Sequence, residues 1–222
     1  AGTTNTDSHW ELYPINKQGI VDYDNVIFKD DISAEESKLF KEDIDQSGST
    51  GLNFSSLQSV ASDSYGDLLK RDSNGFFYIL SDADTTSDTS DDEHIPLSQA
   101  WGDRVNFNTT DSFSGGSFSS QAVAIESTSY TNSKGISTNG YVIALKNTNT
   151  TPSSTNIDWE LRYANADGVL DPDLIVSLAS IQGSESLFGT NKNNADLDGD
   201  NKFGIDTSAL TTIATDTSGD GL

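Results

Sequence analysis

The chain is 222 residues long and sets 35 acidic side chains against 12 basic ones, a formal charge of −23, with no cysteine and no methionine. That charge repels a phosphate backbone and excludes a nucleic-acid role, and the lack of cysteine excludes disulfides and thiolate metal sites. No apolar run approaches the roughly 18 residues of a membrane span, and divalent cations are the natural partners of so acidic a chain. Hydrophobic residues make up only 33%, but the aromatics (9%) sit inside β-like runs, which argues for a fold rather than disorder.

The first elements in chain order belong to a passage that is written twice. Trp10-Glu-Leu, Gly19 and Asp22-x-Asp24 return as Trp159-Glu-Leu, Gly168 and Asp171-x-Asp173, a shift of 149 (159 − 10). From Asp43 onward the shift is 153 (196 − 43), so that Gly51 meets Gly204, Leu57 meets Leu210 and Asp67 meets Asp220. A period near 150 is far longer than a solenoid rung of about 20 to 50 residues, so each period reads as a module. The expected organisation is residues 1–69 as repeat half A, 70–158 as a β-rich segment B and 159–222 as half A′. It fits an excerpt from a tandem array or a complete subunit. The Ala1-Gly2 start with no methionine points to a processed or excised chain.

Within A, Ser33 to Lys41 has a Ser at the N-cap position, acids in the first turn and Lys41 at the end, which predicts a helix. Leu68 to Tyr78 predicts a hairpin turning at Asn74-Gly75. Residues 81–92 form an acidic low-complexity loop. Strands are predicted over Phe76–Leu80, Gln121–Ile125, Tyr141–Leu145 and Ile157–Tyr163, each short, aromatic or β-branched, and bounded by turn formers. In the last, Ile157, Trp159, Leu161 and Tyr163 share one face, the pattern of a half-buried strand. The Pro152-bearing linker from Asn147 to Asn156 is placed to close a hairpin before it. Ser184–Phe188 predicts a single helical turn. The expected fold is mainly β, a β-sandwich or related antiparallel sheet module with short helix-plus-EF-hand-like calcium loops.

Two acidic loops carry the chemistry. Calcium takes six to eight oxygens, and alternate residues of a tight loop turn their oxygens toward one point. Asp196, Asp198 and Asp200 occupy positions 1, 3 and 5 of such a loop, with the Lys202 carbonyl at position 7. Thr207 stands at position 12 where a glutamate is usual, leaving Asp206, Glu185 or water to complete the charge. In the first copy Asp43, Asp45, Ser47 and Ser49 take these places, and a hydroxyl for the third carboxylate predicts weaker binding. The acid pairs at Asp63/Asp67, Asp216/Asp220, Asp22/Asp24 and Asp171/Asp173 fit plain turns or further cation ligands.

His9 and His94 have unrelated surroundings and no zinc pattern, and no Gly-x-Ser-x-Gly elbow occurs. No enzymatic role is expected. Trp10 and Trp159 recur in register, which suits packing, whereas Trp101 belongs to the unrepeated segment and is the candidate for ligand stacking.

Glu185 and Phe188, then Asp196, Leu197, Gly199 and Asp200, and finally Gly204 form a lead-in, loop and terminal glycine. This succession resembles the tryptophan-rich C-terminal domain of cyanobacterial and other bacterial haemolysin-type calcium-binding surface proteins. Asp198 and Asn201 depart from that pattern, and Thr190 to Ala195 is an insertion; Phe40, Asp43 and Ile44 keep the spacing in the first copy. The resemblance implies a secreted, calcium-loaded module at the cell surface. The expected function is an extracellular structural unit of a surface layer, fibre or adhesin. Its partners would be calcium and copies of itself or neighbouring modules. The alternative is a calcium-dependent module binding surface glycans, and a fragment of a secreted hydrolase ranks below both.

Overall fold

The computed structural model describes residues 10–29, 32, 36–46, 51, 56–81, 93–189, 196–202 and 204–205. It is mainly β, and all pairing between its named strands is antiparallel. The chain divides into two compact units, residues 1–179 and 180–222.

Three sheets lie in the first unit. A two-stranded hairpin joins β1 (Trp10–Leu12) to β2 (Ile27–Lys29). A four-stranded meander runs β3 (Gln58–Ser62), β4 (Leu68–Arg71), β5 (Phe77–Ser81) and β6 (Glu93–Pro96). A five-stranded meander runs β7 (Thr109–Phe113), β8 (Gly116–Thr131), β9 (Ser137–Thr150), β10 (Thr155–Asn165) and β11 (Leu170–Leu178). The predicted strands 121–125, 141–145 and 157–163 lie inside β8, β9 and β10, the one predicted from Phe76 begins at Phe77 as β5, and the linker around Pro152 closes the β9–β10 hairpin. The acidic stretch 82–92 and His9 lie outside the described residues.

One apolar core joins the two larger sheets. Leu69, Phe77, Ile79 and Ile95 from the four-stranded sheet meet Ala122, Ile125, Tyr141, Ile143, Leu145, Ala164 and Leu170 from the five-stranded one. The loop residues Leu97, Val105 and Phe107 complete it. This is an arrangement consistent with a β-sandwich, in which alternate residues of each strand turn inward. In β10 the expected alternation buries Trp159 and Leu161, while Ile157, near the start of the strand, is exposed.

Five turns among the described residues share one form. An Asx residue stands first and a glycine fourth in Asn16–Gly19, Asp63–Gly66, Asp72–Gly75, Asn132–Gly135 and Asn165–Gly168. In each, the Asx N–H donates to the carbonyl of the fifth residue. The Asx side-chain oxygen in turn accepts that residue's N–H, from Ile20, Asp67, Phe76, Ile136 and Val169. The glycines have φ between 77° and 113°, the left-handed region that a Cβ penalises. The hairpin predicted at Asn74-Gly75 is of this type: it begins at Asp72, and only Gly75 takes positive φ. Two of these glycines separate backbone strain from packing. Gly135 has open space at the Cβ position, whereas a Cβ on Gly168 would meet Ile95 Cγ2 and the Pro96 oxygen at 2.6 Å. Gly135→Ala should cost about 1 to 2 kcal/mol in thermal or urea unfolding, and Gly168→Ala distinctly more.

A polar clasp also ties the two sheets. Asp63, Asp67 and Glu126 are buried. Ser64, in the β3–β4 turn, donates its N–H (3.1 Å) and its hydroxyl to Glu126 of β8. Ser127 lies against Asp63 Oδ2 and Asp67 Oδ2, its Oγ at 2.6 and 2.8 Å. Burial raises the Glu126 pKa, the Ser64 hydrogen bonds pull it back in part, and the charges of Asp63 and Asp67 push it up again. A raised folded pKa means that ionised Glu126 opposes folding at neutral pH, and the opposition lifts as pH falls through that pKa toward the ordinary 4.5. Glu126→Gln keeps an oxygen for Ser64 and removes the charge. Its melting temperature should exceed the parent's at pH 7, with the gap closing toward pH 4.5; a gap that does not change with pH would refute this assignment.

Candidate metal centres

Each acidic loop is gathered around one buried glutamate. Of the helix predicted over Ser33–Lys41, Ser33 to Glu35 lie outside the described residues, and Glu36–Phe40 form a π-type turn closed by the Lys41 N–H donating to the Glu36 carbonyl at 2.7 Å. The Glu36 side chain is fully buried. Its Oε1 accepts the N–H groups of Ile44 (2.6 Å) and Asp45 (2.8 Å), and its Oε2 accepts that of Gly51 (3.0 Å). In the second unit a 3₁₀ helix, Gln182–Phe188, carries Glu185, also fully buried. Glu185 Oε1 accepts the N–H of Leu197 (2.9 Å), and Oε2 accepts that of Gly204 (2.8 Å).

The two constructions superpose on the repeat. Glu36 and Glu185 are 149 apart, the shift of the tryptophan strand. Ile44 and Leu197, like Gly51 and Gly204, are 153 apart, the shift of the loop. Ile32 and Ile181, also 149 apart, are both buried one turn before their glutamates. A buried carboxylate without donors would be very costly, whereas charge-assisted hydrogen bonds contribute about 1.5 to 3 kcal/mol each. Glu36 therefore holds a loop in place rather than merely favouring a helix N-terminus, and its signal in the sequence was the recurrence at 149.

The loops share a backbone form as well. Gly199 has φ 79°, and Gln46, its counterpart at shift 153, has φ 60°; Gly51 and Gly204 stand at 85° and 73°. Asp196 Oδ1 accepts the Gly199 N–H and Oδ2 that of Asn201, both at 2.9 Å. Asp198 Oδ1 accepts the Asp200 N–H, and Asp200 Oδ1 that of Lys202.

Two acid clusters result, each of which can hold a metal ion. Oxygens of Glu36, Asp43 and Asp45 lie within 4.8 Å of one another, as do those of Glu185, Asp196 and Asp198. Asp200 stands apart from the second cluster, and its Oδ2 accepts the Gln182 amide at 3.0 Å. Lys202 is exposed at the end of the loop. Ser47, Ser49 and Asp206 lie outside the described residues. A carboxylate offers about four lone-pair sites. Among the described residues Glu36 accepts three N–H groups and Glu185 two.

Of the remaining acid pairs, Asp216 and Asp220 lie outside the described residues, and Asp63 caps its own turn. Asp22 and Asp171, counterparts at 149, each accept the N–H two residues on, from Asp24 and Asp173, at 3.1 Å. The Asn25 amide lowers the Asp22 pKa. At Asp171 burial pushes upward but is outweighed by the Ser133 N–H and hydroxyl and by the N–H groups of Asp173 and Leu174, so the pKa is lowered. Trp101 is exposed, its Nε1 donating to Asp103 Oδ2 at 2.7 Å, which braces the indole at the tip of the Gln99–Gly102 turn. His94 lies in β6 opposite Leu80.

No family model, curated protein or solved structure matches the chain.

Two substitutions test the loop anchors. Glu185→Gln turns an amide toward N–H donors and should destabilise the second unit by about 1 to 3 kcal/mol, read as faster hydrogen exchange at Leu197 and Gly204. Gln46→Gly relieves a left-handed non-glycine residue and should stabilise the first loop by about 1 kcal/mol in chemical denaturation.

Proposed function

We propose that the chain is an extracellular structural module of a bacterial surface protein, a unit of a surface layer, fibre or adhesin, in which calcium fixes two equivalent loops. The observation that carries this reading is the pair of three-carboxylate clusters, each built around a buried glutamate at the same repeat position. All first-coordination atoms so supplied are oxygens, the donor set of a hard cation, and the chain has no cysteine for a softer one. The charge of −23 adds a second reason, since bound divalent cations relieve self-repulsion in the folded state. The motif resemblance to haemolysin-type calcium-binding surface proteins points the same way. In this reading Asp196, Asp198 and Glu185 form the tighter EF-hand-like site, and Asp43 and Asp45 the weaker one.

Calcium at loops of this kind binds with Kd values of roughly 10⁻⁴ to 10⁻³ M, suited to fluid outside the cell. A hundredfold excess over Kd then stabilises the fold by about 2.7 kcal/mol per site. Melting should therefore shift upward with millimolar calcium and fall on chelation, with the response reduced in Asp196→Asn. A melt indifferent to both calcium and chelator would refute the proposal.

The exposed, braced indole of Trp101 favours a second reading, a calcium-dependent module that stacks surface glycans. A glycan array probed in calcium separates the two. Hits that disappear in Trp101→Ala support the glycan reading; a blank array leaves the structural one.

A further inference from the structure

The chain has neither cysteine nor methionine, the side chains that ordinarily take up oxidants, so its readily oxidised groups are seven tyrosines and three tryptophans. Two tyrosine pairs are in contact among the described residues. Tyr13 and Tyr23 meet edge-on, with ring centroids 5.7 Å apart and planes at 69°, and both are exposed. Tyr130 and Tyr163 come closer, with centroids 5.0 Å apart and planes at 45°, and both are half-buried.

Strand register explains the second contact. Tyr130 in β8 stands opposite Thr138 of β9, and Tyr163 in β10 stands opposite Val142 of the same strand. Thr138, Gly140 and Val142 alternate onto one face, so the two tyrosines flank β9 on that face with Gly140 between them. A Cβ at Gly140 would meet the Ala164 carbonyl oxygen at 2.0 Å, so no side chain can stand there to part the rings. Burial raises the pKa of both phenols, and the charge of Asp171 raises that of Tyr130 further. Each phenol is therefore neutral at neutral pH and releases its proton as an electron leaves. The Asp171 charge also eases electron loss from Tyr130, because it attracts the positive charge that the loss creates.

We infer that Tyr130 and Tyr163 form a modification site, at which a one-electron oxidant joins the two rings into an intrachain dityrosine. Each phenol gives up one electron and one proton, and the two phenoxyl radicals couple through ring carbons ortho to their oxygens. The two ortho hydrogens then move to the oxygens, which restores both aromatic phenols. Two tyrosines and one hydrogen peroxide thus become one dityrosine and two waters, with a haem peroxidase carrying the electrons. The radicals have no distance to diffuse, because the strands already hold the rings in contact. The new bond ties β8 to β10 across β9 and closes the chain between residues 130 and 163, constraining the unfolded state as a disulfide does. A chain without cysteine has no disulfide to serve that purpose.

The test treats the dilute full chain with a haem peroxidase and hydrogen peroxide, and follows the monomer by mass spectrometry and dityrosine fluorescence. The monomer should lose the mass of two hydrogen atoms, and proteolytic mapping should place the link between residues 130 and 163. Tyr130→Phe and Tyr163→Phe, which keep the ring and remove the phenol, should each lose this product, whereas Tyr13→Phe should keep it. The same treatment in concentrated urea should abolish the preference for this pair, because only the fold brings the rings together. A folded monomer that yields no link between 130 and 163, or a product linked mainly at Tyr13 and Tyr23 or between chains, overturns the inference.

Discussion

The organisation of both acidic loops depends on a carboxylate removed from water. Glu36 and Glu185 are fully buried, and each satisfies its charge with N–H groups donated from a loop up to 19 residues further along the chain. The glutamate and the loop thus require each other: without the loop the charge is stranded, and without the charge the loop N–H groups lose their acceptor. The aspartates stand on this frame. In the second loop Asp196, Asp198 and Asp200 brace the backbone internally, and each loop carries a three-carboxylate cluster that can hold a metal ion.

The same economy of means shapes the β framework. Five turns use an Asx acceptor and a left-handed glycine, and they set the antiparallel register of strands whose alternate residues fill one core. This explains why so acidic a chain still folds around a modest apolar set: the polar residues that dominate the composition are spent on turns, clasps and loop braces rather than left idle. Where Asp63, Asp67 and Glu126 cluster at the sheet junction, Ser64 and Ser127 supply the donors that keep three buried acids tolerable.

Much of this was legible in the residues. Phe76–Leu80, Tyr141–Leu145 and Ile157–Tyr163 announced strands because alternation and β-branching are local properties. The Asp196 loop stood out because metal-ligand spacing is local as well. The partners of Glu126 were hidden, since Ser64 lies 62 residues away and only the folded sheets bring them together. Glu36 was visible but masked: it satisfies the pattern of a helix N-terminus, and only alignment with Glu185 distinguishes an anchor from a cap.

The account of the two loops is tested most directly by titrating the full, isotope-labelled chain with calcium and following individual amides. Saturable shifts should appear at Leu197, Gly199, Asn201 and Gly204 first, and at Ile44, Asp45 and Gly51 at higher calcium, with the β8 to β10 amides unmoved. Amides in both loops that stay fixed through calcium levels well above those of extracellular fluid would contradict it.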